Sequence, residues 1–237
     1  MKRFASLVVA FFLLAAPVRA HFLWILPADP KDEKSVPRLI FSDDLKPDSA
    51  ELLKKVGKPA LFARDLDLKT TELKLDDGKE AIPVIVKGKG PLVIGGVCKY
   101  GVYQKDDKAD PVLVYYYAKT YFGEDLHKAP PKGLLDPWDK LPLEIVPLEK
   151  PKNTVQVLWK GKPLADAEVV LYVPGRAEPV KGKTDADGQY VVEMPAQNGV
   201  YGLRASHTEN VGGELDGKKY TATRHHATLT FPVDKTK

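Results

Sequence analysis

The feature that most constrains this chain is the distribution of its Val, Ile, Tyr and Thr. They come in short runs, each cut off by Gly, Pro or Asp. Such runs, bounded by turn residues, specify strands. The spacing predicts strands at Phe22–Leu26, Arg38–Ser42, Ala60–Asp65, Glu72–Leu75, Ile82–Lys87, Leu92–Cys98 and Val112–Lys119. One short helix is expected from Ser49 to Val56. Asp48 or Ser49 would cap it, and Leu52, Leu53 and Val56 would face inward.

Residues 123–151 change character. Pro130, Pro131, Pro137, Pro142, Pro147 and Pro151 remove ladder donors and fix the backbone, so most of this stretch reads as a surface connection. Leu143–Val146 is its one candidate strand. From Val155 onward a cleaner pattern returns, with turn signals about every 8–12 residues, as in a β-sandwich. The expected fold is therefore all-β: two Ig-like or transthyretin-like sandwiches in tandem, at residues 21–150 and 151–237.

The first twenty residues read as a secretory leader. Lys2 and Arg3 precede an apolar stretch from Ala5 to Ala16, shorter than the about 20 residues a transmembrane helix needs. Pro17 breaks the stretch, and Val18-Arg19-Ala20 suits a signal peptidase. A mature chain beginning at His21 has no transmembrane span and is expected in the periplasm or outside the cell. The alternative is an uncleaved N-terminal anchor. Lys2, Arg3 and Arg19 leave with the leader, which removes most of the net charge of +4. No clustered basic face remains for a nucleic acid. Cys98 is the single cysteine, so no internal disulfide is available, and it reads as a small buried hydrophobe.

The stretch GKPLADAEVVLYVPG, with KTDADGQYVVEMPAQNGVYGLRA after it, resembles the transthyretin-like, carboxypeptidase-regulatory-like sandwich repeat of bacterial surface and secreted proteins. The whole mature layout resembles a secreted bacterial family of unknown function grouped with nickel-uptake periplasmic components. The likeness is strongest at its two ends, AHFLWILP and SHTENVGGELDGKKYTATRHHATLTF. The resemblance implies metal handling at the cell envelope, with nickel or cobalt favoured and a membrane metal transporter or envelope component as partner. It implies no particular reaction.

Five histidines occur: His21, His127, His207, His225 and His226. A three-residue loop at Leu215-Asp216-Gly217 would set Glu214 opposite Lys218. Followed outward, that register pairs Ala205 with Ala227, Leu203 with Leu229 and Tyr201 with Phe231, all apolar and all on one face. A slip of one residue would turn this set to solvent. The same register puts His207 opposite His225, with Cβ atoms about 4.5–5.5 Å apart. His226 has the opposite parity and faces away. Two such imidazoles can converge on one ion with bonds of about 2.0–2.1 Å.

His21 would complete the centre. Once the leader is cut, its α-amine and ring form a chelating pair. Together His21, His207 and His225 suit nickel, cobalt, copper or zinc, and ligand chemistry by itself ranks copper highest. The rings bind only when neutral, so affinity would fall below about pH 6. Glu209 or Glu214 could orient an imidazole from behind. His127 reads as a surface residue of the Pro-rich connection. Asp185-Ala186-Asp187-Gly188 reads as a hairpin turn, because Met194 stands where a calcium loop needs its bidentate Glu.

A different reading is an adhesive or carbohydrate-binding module without metal, using Tyr115, Tyr116, Tyr117, Tyr121 and Phe122 as a stacking platform. Strand alternation counts against it, since Tyr116 should point away from Tyr115 and Tyr117. No Gly-x-Ser-x-Gly elbow, His-Glu-x-x-His helix or phosphate-cradling Gly loop is present. The chain therefore reads as a binding protein rather than an enzyme. A copper-dependent oxidoreductase built on an N-terminal histidine is the third reading.

Overall fold

Strands dominate because β-branched and aromatic runs pack well on a pleated, half-buried surface. The structure, a computed structural model, describes residues 20–29, 32, 34–88, 90–123, 130–193 and 197–233. The leader before Ala20, and His127, lie outside the described residues. In chain order the elements are β1 (Phe22–Leu26), β2 (Arg38–Ser42), α1 (Ala50–Lys54), β3 (Ala60–Arg64), β4 (Thr70–Leu75), β5 (Ile82–Ile85), β6 (Leu92–Tyr103) and β7 (Val112–Phe122). After them come α2 (Lys132–Leu135), β8 (Leu143–Pro147), β9 (Thr154–Trp159), β10 (Lys162–Pro163), β11 (Glu168–Tyr172), β12 (Val180–Lys183) and β13 (Gln189–Val191). The chain ends with β14 (Gly199–Glu209), β15 (Gly213–Leu215), β16 (Lys218–Tyr220) and β17 (Ala222–Val233). The all-β expectation holds. Ser49 caps α1 by accepting from the Leu52 N–H, and Leu53 and Val56 are buried beneath it. Among the described residues no helix is long and apolar enough to cross a membrane.

The two expected sandwiches share a sheet. Eleven strands run in the order β1-β2-β5-β4-β3-β6-β7-β17-β14-β11-β12. The joint is the parallel pairing of β7 with β17, from Val112–Ala222 to Thr120–Thr230. The expected boundary near residue 150 therefore divides the chain but not the sheet. Both faces of β7 and β17 are largely buried, β7 mostly by apolar side chains and β17 with Thr228 and Thr230 turned to one of them.

A core covers each face. On one side the sheet curls so that β1 lies over β7 and β17. The Thr228 hydroxyl donates to the Leu23 carbonyl at 2.7 Å, and the Thr230 hydroxyl donates to that of Ile25. Leu23, Trp24, Ile25, Leu39 and Ile40 are fully buried there, against Val114, Tyr116 and Ala118 of β7. Each such side chain contributes about 1.5–3 kcal/mol of burial. On the other side the small sheet of β8, β9, β10 and β13 packs Leu143, Ile145, Val155 and Val157 against Tyr117, Leu203, Ala227 and Leu229.

The last hairpin reaches its expected register by a different route. Asp216 and Gly217 both have positive φ and form a two-residue turn, with Leu215 opposite Lys218. Three residues, Asn210 to Gly212, then face two, Thr221 and Ala222, before the long ladder begins at Glu209–Thr223. The extra residue offsets the shorter turn, and His207 pairs with His225.

Candidate metal centres

His207 and His225 stand where the apolar rows of β14 and β17 run out toward the hairpin. Their ring centroids are 6.4 Å apart. Trp159, the last residue of β9, lies over both: its ring is 4.6 Å from that of His207 and 4.5 Å from that of His225. Lys160 follows with positive φ, and its ammonium folds back to 4.6 Å from the same indole. His225 is buried, with both nitrogens engaged. Nδ1 lies 3.0 Å from the Tyr117 hydroxyl and Nε2 lies 3.2 Å from Glu209 Oε2. Glu209 Oε1 accepts from Lys160 Nζ at 3.1 Å. Because the carboxylate can only accept, Nε2 of His225 carries the proton, and the Tyr117 hydroxyl donates to Nδ1.

Burial lowers the pKa of both His207 and His225, and the nearby Glu209 charge opposes that shift without cancelling it. For Glu209, burial pushes upward, but the hydrogen bond and charge of Lys160, with His225 behind them, hold its carboxyl below the usual range. The imidazoles are thus neutral and the carboxylate is charged at neutral pH. Glu209 is the carboxylate that meets the pair. Glu214 is exposed on β15, opposite Lys219.

His21 lies on the other face. Its Nε2 is 2.9 Å from Asp48 Oδ2, and its ring is 5.7 Å from that of Phe41. Phe41 in turn contacts Tyr100 and Tyr116. The next residue, Phe22, packs its ring 5.1 Å from that of His226 and 4.3 Å beneath the Arg204 guanidinium. His226 has the opposite parity to His225, stacks on Tyr116, and pairs Nδ1 with the Ser206 hydroxyl at 2.8 Å. Burial, then Arg204, Arg224 and His225, bring its pKa down to about 3.

The structure therefore brings His207 and His225 together and sets His21 apart, with the central sheet between them. The expected centre of three histidines is not assembled as one site. Strand parity, read from sequence, says which residues share a face, but not which face a distant strand covers. Among the described residues, no three His, Cys, Asp or Glu side chains converge to hold an ion.

His21 nonetheless suits a chelate. A carboxylate that accepts from Nε2–H keeps the ring proton on Nε2 and leaves Nδ1 with a lone pair, and such partners routinely orient ligating imidazoles. Nδ1 is the ring atom that closes a six-membered chelate with the residue's own α-amine. Asp48 is itself anchored, because its Oδ1 accepts the Ser49 N–H at 2.6 Å, at the start of α1. Phe41 packs on the His21 ring and is itself backed by Tyr100 and Tyr116.

Several neighbours of these histidines carry no sequence signal. Trp159 packs on both rings of the pair and Tyr117 on His225. Lys119 and Glu144 form a buried ion pair at 2.7 Å. Cys98 is buried as expected, donates to the Val56 carbonyl, and has its pKa raised to about 11 by desolvation. Asp185 accepts from the Asp187 and Gln189 N–H groups, with Gly188 at positive φ, and so builds a hairpin turn.

A family model described as Domain of unknown function (DUF4198) matches residues 18–209. The match includes His21, Asp48, His207 and Glu209, and ends before His225. No curated protein matches the chain.

Proposed function

The chain belongs to the DUF4198 family, and we propose that it is an exported binder of transition-metal ions, with one site at the N-terminus created when its leader is removed. The observation that carries this reading is the 2.9 Å contact between His21 Nε2 and Asp48 Oδ2. It presets the tautomer in which Nδ1 and a freed α-amine can chelate one ion from a single residue. The donor set is nitrogen-rich and suits copper, nickel, cobalt or zinc, with copper highest in affinity. The remaining positions would be filled by water or by a donor of the receiving partner, as in a carrier that must release its ion. That partner would be a membrane metal transporter or another envelope component, which makes this protein an accessory of metal uptake.

Calorimetric titration of protein processed to begin at His21, with copper(II) and nickel(II), tests the reading. One equivalent should bind. A variant with one extra residue ahead of His21 should lose most of the affinity, because the amine becomes an amide. Equal affinity in both proteins would reject the chelate.

A further inference from the structure

We propose that His207 and His225 form a second, separate site, in which one copper(I) ion is held between two imidazoles and capped by the indole of Trp159. The proposal extends the metal-binding reading to the opposite face of the sheet and does not depend on the His21 chelate.

Three observations select this ion. The first is spacing. Two imidazoles joined through one ion, with bonds of about 2 Å and about 1.1 Å from each nitrogen to its ring centre, have centroids about 6 Å apart. The observed separation is 6.4 Å, with the rings 27° from parallel. The second is donor number. The one carboxylate beside the pair, Glu209, is held by the Lys160 ammonium at 3.1 Å, and among the described residues no three His, Cys, Asp or Glu side chains form a set that could hold an ion. Zinc takes four or more donors, so with two imidazoles it would depend on water for the rest. A monovalent d10 copper ion is satisfied by two.

The third is the cap. The Trp159 ring lies within 4.6 Å of both imidazole centroids and closes a side where a divalent ion would keep water. An aromatic face attracts a soft cation. The Lys160 ammonium on the same indole makes a second positive charge costly there, which again favours the monovalent ion. His207 makes no hydrogen bond to another described residue, so its ring can turn toward the ion. At His225 the ion replaces the Nε2 proton now given to Glu209. That single ring proton shifts to Nδ1, where the Tyr117 oxygen accepts it, and the Tyr117 hydroxyl proton turns away from the ring. Glu209 stays on Lys160 and balances the added charge.

The test uses the chain carrying one extra residue before His21, which disables the N-terminal chelate. It is loaded with copper(I) without oxygen, against the chromophoric chelator bathocuproine disulfonate. We expect one retained equivalent, quenched tryptophan emission, and no displacement by equimolar zinc(II) or nickel(II). His207→Leu and His225→Leu should each weaken retention by about tenfold or more. Trp159→Phe should keep part of the binding and lose the quench, which separates a role at the ion from a role in folding. No retained copper, retention unchanged by His207→Leu, or ready displacement by zinc would each overturn the site. Failure of the His21 titration would leave this assay unaffected.

Discussion

His225 and His226 are consecutive residues of β17 whose rings enter different cores. His225 stacks on Tyr115 at 5.5 Å and His226 stacks on Tyr116 at 5.6 Å, so the parallel β7–β17 register repeats one imidazole–phenol contact on each side of the sheet. His225 is buried and reaches Glu209, whereas His226 is half-buried and packs among Phe22, Tyr116 and Ser206.

The packing of His226 beside Arg204 and Arg224 makes folding acid-sensitive. An unfolded imidazole titrates at about 6.5, whereas His226 in the fold is held at about 3. Between those values the unfolded chain binds a proton that the folded chain refuses. The contribution is fully present above about pH 6.5 and is lost as pH falls, by up to about 1.4 kcal/mol per pH unit. His226→Gln, which can still bond Ser206, should flatten the pH dependence of the urea midpoint between about pH 7 and about pH 4. Parallel curves for variant and wild type would contradict the burial of a neutral ring.

Asp48 should act on affinity without acting on α1, which Ser49 caps independently. Asp48→Ala is expected to weaken divalent-ion binding at His21 by about 10–100-fold. Asp48→Asn, which keeps a neutral acceptor, should fall between the two. Calorimetry on proteins beginning at His21 checks the order, and an unchanged Asp48→Ala would leave the contact without a role in binding.

What the sequence made legible depended on distance along the chain. The His207–His225 pair followed from apolar partners a few residues away, and it survived a wrong turn type because the ladder, not the loop, carries the burial. β1, β2 and α1 were legible from local runs and a capping serine. Two things were not. The face that β1 covers is set by hydroxyls of Thr228 and Thr230, about two hundred residues away. The Lys119–Glu144 pair joins strands of different sheets, and nothing local distinguishes a buried lysine from a solvated one.

That pair supports a stability prediction. Burial lowers the Lys119 pKa, and Glu144 opposes the shift by charge and by a hydrogen bond. Glu144 also accepts the Trp138 N–H at 2.8 Å. Glu144→Gln keeps that acceptor and strips the ammonium of its counter-charge, at a cost of about 3–5 kcal/mol. Adding Lys119→Met should recover most of the loss, because the charge that needed a partner is gone. Chemical denaturation of the wild type and the two variants gives the answer, and a double variant no better than the single would show that the lysine was never the burden.

The last prediction ties the core to the His21 site. Gly202 of β14 has no room for a side chain: an added Cβ would sit 2.7 Å from a Leu45 methyl and 2.9 Å from the Trp24 ring. Leu45 can turn aside, whereas Trp24 is fully buried and donates to the Ser42 carbonyl, so it cannot. Gly202→Val should therefore lever β1 away from the sheet, costing about 1–3 kcal/mol. His21 is one residue ahead of β1 and would shift from Asp48 with it. Stability and divalent-ion affinity should fall together, and Trp24→Phe in the same chain should restore part of both. A Gly202→Val protein that loses stability but chelates as before would mean that β1 and the His21 site are held independently.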